Sequence, residues 1–540
     1  MKLALYGLPC AGKTTLMRSL KEVYVVHGSE TLKKLSGGSF SSLSEDEKEA
    51  VRIAYTKYLA TLSADIILSD GHYAFGDDVV FTESDAQLYD VFLYLYCDPH
   101  TLKERYSASA KNETYANLSI QRIESWQQFE IESLRGECHK RNKDFYVLPA
   151  STLSPETLES FIYQIYDGFS CFAQAEHIAA EIKALFPIPC HLHIVDGDKT
   201  IIKQDSFRIC STHKTTCFDG DFYTGYQSLC FSKETGELHF DYDKVAILQI
   251  NPLVYERVCN APYIILSAGI TRLWNVIGKR LGLSPIFADP TISADTKYFV
   301  VKNLQYAGYT ISAYGDSKND LYMLKAADHG YLFLGERISR SLTTASTRGL
   351  QLLCNKSHII LENEYPEELQ EDTAICKSGS GINGSQLASA HLRLGQRLGT
   401  RIKKQFPPDD MAVIVLDRGG RFFGDGLYST LGGTFYPFNP KKELIPAIKE
   451  DLILIVDSVI NTGNSTLQLI AELKAQYPNA QIILATNVIQ QQALSKFEDY
   501  CLFAIRASSN SFVGRNQAVQ TGRTGPDTAD RLFNLISKGV

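Results

Sequence analysis

Val195-Asp196-Gly197-Asp198-Lys199-Thr200 closes the apolar run His191–Val195 with two aspartates one residue apart. A pair so spaced at the end of a strand presents two carboxylates to one phosphate and one metal. The chain later supplies Ser267 in Leu266-Ser267-Ala268-Gly269, then Lys297, then Asp316 and Asp320 in Tyr314-Gly315-Asp316-Ser317-Lys318-Asn319-Asp320. Asp-x-Asp-x-Thr alone arises by chance, but followed by these residues in this order it forms a four-part set. A different phosphate-handling signature flanks it on each side, so the chain reads as several enzymes on one string.

The four-part set closely resembles the haloacid dehalogenase (HAD) phosphatases, and Ser267-Ala268-Gly269 with the run Gly315–Leu324 resembles their phosphoserine-phosphatase-like branch. The resemblance implies that Asp196 is a nucleophile that takes up phosphate as an aspartyl phosphate, which splits hydrolysis into two steps. Asp198 then protonates the leaving oxygen and activates water. Ser267 donates a hydrogen bond to the phosphoryl oxygens, and Lys297 offsets the crowding of negative charge, with Lys302 as its competitor. Mg²⁺ is expected on Asp316 and Asp196 with a backbone carbonyl, Asp198 being counted among the ligands and Asp320 supporting them. The stretch between the first two motifs is long enough for a small cap that selects substrate. It carries Cys210, His213 and Cys217, with Cys230 further on. Such spacing permits zinc, although thiols of a reduced cytosolic cap are the plainer reading.

Toward the N-terminus, Gly7-Leu8-Pro9-Cys10-Ala11-Gly12-Lys13-Thr14 fits G-x-x-x-x-G-K-[ST] between an apolar strand and a helix start at Thr15. Gly7 and Gly12 let amides turn inward around a phosphate, Lys13 bridges phosphates, and the Thr14 hydroxyl is placed for Mg²⁺. Asp70 ends a second apolar strand beside this loop, where it would hold Mg²⁺ through water or orient an acceptor hydroxyl. Val91–Asp98 followed by Leu102-Lys103-Glu104-Arg105 resembles the strand and helix leading to the lid of small nucleoside and nucleotide kinases. By that resemblance Arg105 meets a transferred phosphoryl group; it is equally readable as structural.

Toward the C-terminus, the apolar run Leu452–Val456 reaches Asp457 and then Asn461-Thr462-Gly463-Asn464-Ser465. Amides of such a loop cup a phosphate while the strand-end acid reaches ribose hydroxyls. The segment resembles the phosphoribosyl pyrophosphate (PRPP) loop of phosphoribosyltransferases. Ser458 stands where many of them carry a second acid, which points to the uracil phosphoribosyltransferase branch. Asp417-Arg418-Gly419-Gly420, with an arginine for pyrophosphate, and the tail Gly525-Pro526-Asp527-Thr528-Ala529-Asp530-Arg531 agree with that branch. There Asp527 would help position PRPP and its metal. Base identity is expected from loop groups around Ser511-Phe512-Val513-Gly514.

Apolar runs alternating with longer amphipathic stretches predict an α/β protein of mostly parallel sheets. Strands are expected at Lys2–Tyr6, Ile66–Ser69, Val91–Cys97, Asp144–Leu148, His191–Val195, Tyr263–Ser267, Ile311–Tyr314, Met411–Leu416, Leu452–Asp457 and Gln481–Thr486, and helices over Ser151–Leu185. A polar, acidic stretch, Glu362–Asp372, reads as a separator. The expected fold is three doubly wound domains: a P-loop kinase-like domain over 1–186, a HAD Rossmann-like domain over 187–365 with its cap at about 201–262, and a type I phosphoribosyltransferase-like domain over 366–540.

A length of 540 residues suits about three or four domains. Hydrophobic residues make up 44% and charged residues 21%, enough to build ordinary cores. Lys and Arg number 54 against 61 Asp and Glu, a net charge of −7 that argues against a broad grip on nucleic acid. No apolar run approaches the roughly 20 residues of a membrane helix. The start reads as a buried strand rather than a signal peptide, and Cys10, Cys97 and Cys190 in apolar surroundings read as reduced thiols, so a cytoplasmic enzyme is expected. The favoured reading is a multifunctional enzyme of nucleotide metabolism using Mg²⁺, ATP and PRPP, with a nucleobase, uracil-like, as acceptor. A partner-triggered regulatory or defence effector that depletes or modifies nucleotides is the alternative, and a scaffold with degenerate sites is the third. Oligomeric state stays open, a homo-oligomer included.

Overall fold

The computed structural model describes residues 1–38, 40–108, 113–220, 222–334, 342, 349–354, 358–406, 410–440, 442–478, 480–497, 500–508, 519–520, 523–524 and 528–535. They divide into two compact units. One comprises Met1–Ile250, Ala261–Ala313 and Lys318–Asp328; the other comprises Asn251–Asn260, Tyr314–Ser317 and His329–Val540. Among the described residues no helix is long and apolar enough to cross a membrane.

Three sheets of five, six and six strands carry the architecture, as the α/β reading requires. The N-terminal sheet runs Tyr24–Val26, Ile67–Asp70, Lys2–Tyr6, Val91–Tyr96, Asp144–Pro149, all pairs parallel. The central sheet runs Ile286–Ala288, Tyr263–Ser267, His191–Val195, Thr310–Gly315, His329–Leu334, Gln351–Cys354. The third runs Ile359–Ile360, Cys501–Ser508, Gln481–Gln490, Leu452–Ile460, Met411–Leu416, Thr434–Phe438, again parallel. Helices cover both faces of a parallel sheet, so its strands are apolar throughout rather than alternating. Leu3, Ala4, Leu5 and Ile453, Leu454, Ile455 are accordingly buried in succession.

Strand ends differ from the sequence reading where polar residues continue a pleat. Leu452–Ile460 passes three residues beyond Asp457, and Gln481–Gln490 passes four beyond Thr486. The helical segment is two helices, Pro155–Tyr166 and Cys171–Leu185, each capped by a serine hydroxyl (Ser154, Ser170). The second of these lies against helix Ala294–Tyr306, where Gln174 bonds Thr291 and Thr296 at 2.7 and 3.0 Å.

The acidic stretch Glu362–Asp372 is not a separator. It forms helices Leu361–Glu364 and Pro366–Cys376, whose acids at four-residue spacing face a basic stripe on helix Ser385–Lys403. Glu364 pairs with Arg401, Glu368 with Arg397 and Asp372 with Arg393. Composition suggested a linker; charge periodicity, complementary on two helices, makes it a packed hairpin.

Candidate functional site

At Asp196 the strand His191–Val195 gives way to a tight loop in which Lys199 takes a φ of 57°. Gly197 is required by space, because a Cβ there would stand 2.6 Å from Ser267 Oγ and collide with the Trp274 ring. Ser267 therefore sits directly on the loop. Its Oγ accepts the Gly269 N–H at 3.0 Å, which leaves the hydroxyl proton to be donated to an anion.

Lys297 is wholly buried, with Nζ 2.6 Å from Asp196 Oδ1 and 2.6 Å from Asp320 Oδ1. Burial opposes its charge, but the two carboxylates outweigh that and hold the ammonium above the ordinary lysine range. Burial, then the neighbouring Asp320, pushes the Asp196 carboxyl up to about 7, with Lys297 opposing. Asp196, Asp316 and Asp320 each bring one carboxylate oxygen within 4.8 Å of the others. An all-oxygen donor set with more acids than its single lysine can neutralise fits Mg²⁺. Lys302, the competitor, bonds Gln305 on its own helix at 2.9 Å, whereas Lys297 reaches Asp196 and Asp320.

Asp198, expected among the metal ligands, is not in that carboxylate group. Its Oδ1 accepts the Ser206 N–H at 2.6 Å, at the start of helix Ser206–Cys210. Burial and Asp205 push its carboxyl up to about 6, a range suited to a general acid. Cys210, His213, Cys217 and Cys230 do not gather as a four-residue set either. His213, Thr215 and Cys217 converge on Glu234, with the Thr215 and Cys217 contacts at 2.9 and 2.7 Å. Cys210 is buried on its own short helix.

In the N-terminal loop Gly7 (φ 147°) and Gly12 (φ 107°) hold conformations that favour glycine, and a Cβ on Gly7 would lie 2.7 Å from Leu95 O. Lys13 donates to the carbonyls of Gly7 and Leu8, the latter at 3.1 Å, and burial pushes its ammonium down to about 8. A cavity of about 650 Å³ is lined by Lys13, Thr14, Thr15, Asp70, His72 and Arg105 among others. Asp70 accepts the Gly28 N–H at 2.7 Å, so one of its oxygens is already committed to the start of helix Gly28–Leu35. The Arg105 guanidinium donates to the carbonyls of Cys10 and Ala11 at 2.9 and 3.1 Å. It buttresses the loop while lining the cavity.

In the C-terminal domain Gly463 (φ 76°) ends the loop and caps helix Asn464–Gln476. A Cβ on Gly419 would come to 4.0 Å of Asp457 Oδ1, so the Arg418-Gly419 turn and Asp457 face one another. Arg418 is half-exposed and pairs with Asp530 at 2.8 Å. Within the loop, Asn461 Oδ1 accepts from Gln490 at 3.4 Å, while Lys496 Nζ holds Thr462 O at 2.7 Å and Asn464 Oδ1 at 3.0 Å. Thr462, Asn464 and Ser465 remain exposed on the loop. Asp527 and the loop 511–514 lie outside the described residues.

Two residues near the sites, Lys496 and Glu130, had no place in the sequence reading, and Arg531 was read only as part of the tail motif. Lys496 comes from a short helix with no motif around it. Arg531 is buried and donates to Cys376 O, Lys377 O, Ile382 O, Ser380 Oγ and Asn383 Oδ1, so it shapes a loop rather than meeting ligand. Glu130 is fully buried and bonds Tyr94 OH at 2.7 Å and the Ala74 N–H at 2.9 Å behind the Asp70 turn. Its signal was legible: an acid on the stripe Ile123, Trp126, Gln127, Ile131, Leu134 of helix Ile120–Lys140.

A family described as an AAA domain matches residues 3–127, the stretch that holds the P-loop. No curated protein matches the chain. Among solved structures the chain is similar to the AQ2163 protein from Aquifex aeolicus (12% identity, 32% of this chain and 97% of that one, TM-score 0.26). It is also similar to a xanthine-guanine-hypoxanthine phosphoribosyltransferase from Helicobacter pylori (22% identity, 22% and 81% covered, TM-score 0.19). A third likeness is to the HAD family hydrolase t0658 from Salmonella enterica serovar Typhi (16% identity, 38% and 79% covered, TM-score 0.19).

Proposed function

We propose that the chain is a multifunctional enzyme of nucleotide metabolism with three phosphate-handling sites. The central one hydrolyses a phosphate ester through an aspartyl phosphate, the N-terminal one transfers phosphoryl groups from ATP, and the C-terminal one transfers phosphoribose from PRPP to a uracil-like base. The observation that carries the reading is the buried Lys297 bridging Asp196 and Asp320, because burying one lysine against two acids is costly for a fold alone.

In the central site Asp196 attacks phosphorus, and Ser267 with Lys297 receives the charge that develops on the equatorial oxygens. Asp198, held by Ser206, gives its proton to the leaving oxygen and then takes one from the water that opens the acyl phosphate. Mg²⁺, bound by Asp196, Asp316 and Asp320, would supply charge neutralisation between phosphate and acids. In the C-terminal site Asp457 would take the ribose hydroxyls, the loop Asn461–Ser465 the 5-phosphate and Arg418 the pyrophosphate. The Arg418–Asp530 pair would have to open for that contact.

Domain limits near 186 and 365, ATP as phosphoryl donor and a cytoplasmic setting belong to the same proposal. To test it, the purified chain is incubated with Mg²⁺, ATP, PRPP and each common base, and the products are resolved by mass. Consumption of PRPP with uracil supports the base assignment. Consumption with another base and not with uracil overturns it. Silence until a partner is added favours the effector.

A further inference from the structure

The N-terminal sheet, strands Ile286–Ala288, Tyr263–Ser267 and His191–Val195 of the central sheet, and helices Ala294–Tyr306 and Lys318–Ala326 belong to one compact unit, and buried polar groups join helix Ile120–Lys140 to those two helices. Helix Ile120–Lys140 of the N-terminal domain carries Arg135, which is 1% exposed. Its guanidinium lies 3.2 Å from Asp295 Oδ1 and donates to Tyr322 OH at 2.8 Å and to Phe222 O at 2.9 Å. His139, one turn on, approaches the same Asp295 oxygen at 2.8 Å and stacks on Tyr298 with ring centroids 3.9 Å apart. Tyr322 OH in turn donates to Glu132 at 2.5 Å.

The two anchored residues are not scattered over the central domain. Asp295 lies in the first turn of helix Ala294–Tyr306, two residues before Lys297. Tyr322 lies on helix Lys318–Ala326, two residues after Asp320. One helix of the N-terminal domain therefore holds both elements that deliver partners to Asp196. We propose that Arg135, with Glu132 and His139, consists of positioning residues for the aspartate site: they fix the separation and orientation of Lys297 and Asp320 about Asp196. The inference rests on the phosphatase reading of that site.

A buried guanidinium is satisfied only by partners in good geometry, and its planar fork restricts where those partners can stand. Arg135 thus transmits a fixed distance between Asp295 and Tyr322, and with it between their helices. Supporting groups of this kind are worth roughly 10-fold to 100-fold in ligand affinity or activity. An interface that only glued two domains would alter how much protein is folded, not how well each folded site grips its ligand.

The test uses the full chain and beryllofluoride with Mg²⁺, a mimic of the aspartyl phosphate, titrated by calorimetry. Tyr322→Phe keeps the ring and removes only the hydroxyl that links Glu132 and Arg135, which protects against loss of folding; Arg135→Met and Arg135→Lys complete the set. The expected result is a Kd raised roughly 10-fold in Tyr322→Phe and Arg135→Met at unchanged stoichiometry, with partial recovery in Arg135→Lys. Reduced stoichiometry at unchanged Kd, or no change, overturns the positioning role and leaves the phosphatase reading intact. Absence of binding by the wild-type chain overturns that reading and this inference with it.

Discussion

The ammonium of Lys297 and the carboxylate of Asp196 meet at 2.6 Å in a site where the lysine is wholly removed from solvent. A single cation thus faces two buried acids, Asp196 and Asp320. Lys297→Met should destabilise the chain by about 3–5 kcal/mol, because it strands those acids without a counter-charge. Added Mg²⁺ should recover part of the loss. Urea unfolding with and without the metal measures both, and a variant as stable as the parent in metal-free buffer would count against the arrangement.

Asp196→Asn preserves shape and removes the proposed nucleophile. Hydrolysis of a probe ester such as p-nitrophenyl phosphate should fall by several orders of magnitude, while the melting temperature moves little. Residual turnover near the parent rate would assign the chemistry to another residue.

Gly463 adopts φ 76°, and a Cβ there would stand 2.7 Å from the Phe497 ring. Gly463→Ala should cost about 1–2 kcal/mol from the left-handed backbone alone, more with the ring displaced. PRPP binding, followed by fluorescence or calorimetry, should weaken more than ATP binding does. Equal loss of both ligands would point to general unfolding instead.

His391 is buried on helix Ser385–Lys403 with Nδ1 unpartnered, and burial, then Arg531, pushes its pKa down to about 4 from 6.5. The unfolded chain therefore binds a proton that the folded chain refuses between those values. Stability should be full above about pH 6.5 and fall as pH drops toward 4, by about 3 kcal/mol in all. His391→Leu should flatten that part of the denaturation-versus-pH curve; an unaltered slope would show that other groups set it.

The parts of the fold legible in the sequence were those written in short range. His191–Val195, Tyr263–Ser267, Met411–Leu416 and Lys2–Tyr6 stand where their apolar runs placed them. Lys297 and Asp320 could be named from their order along the chain, but not the fact that one bridges the other, since that depends on two helices meeting. Asp198 shows the limit of spacing as a guide. Asp196, two residues earlier, belongs to the carboxylate group, yet a left-handed Lys199 and the Ser206 amide turn the Asp198 carboxylate away to helix Ser206–Cys210. Glu362–Asp372 misled through composition, since the acids that suggested a separator find their partners on a helix about thirty residues away.

Strand Asp144–Pro149 ends its sheet, yet Val147 is not left bare. Thr224 Oγ1 accepts its N–H at 3.2 Å, and Gln227 Nε2 donates to its carbonyl at 2.8 Å, so two side chains at the start of helix Gly225–Thr235 imitate an extra strand. A fragment cut near residue 186 would lose that cover and offer an unprotected margin to any extended peptide, including another copy of itself. Handled alone, the first third of this protein should be prone to clump, and light scattering of a fragment ending near residue 186 against one that keeps Thr224 and Gln227 would measure how much those two side chains matter.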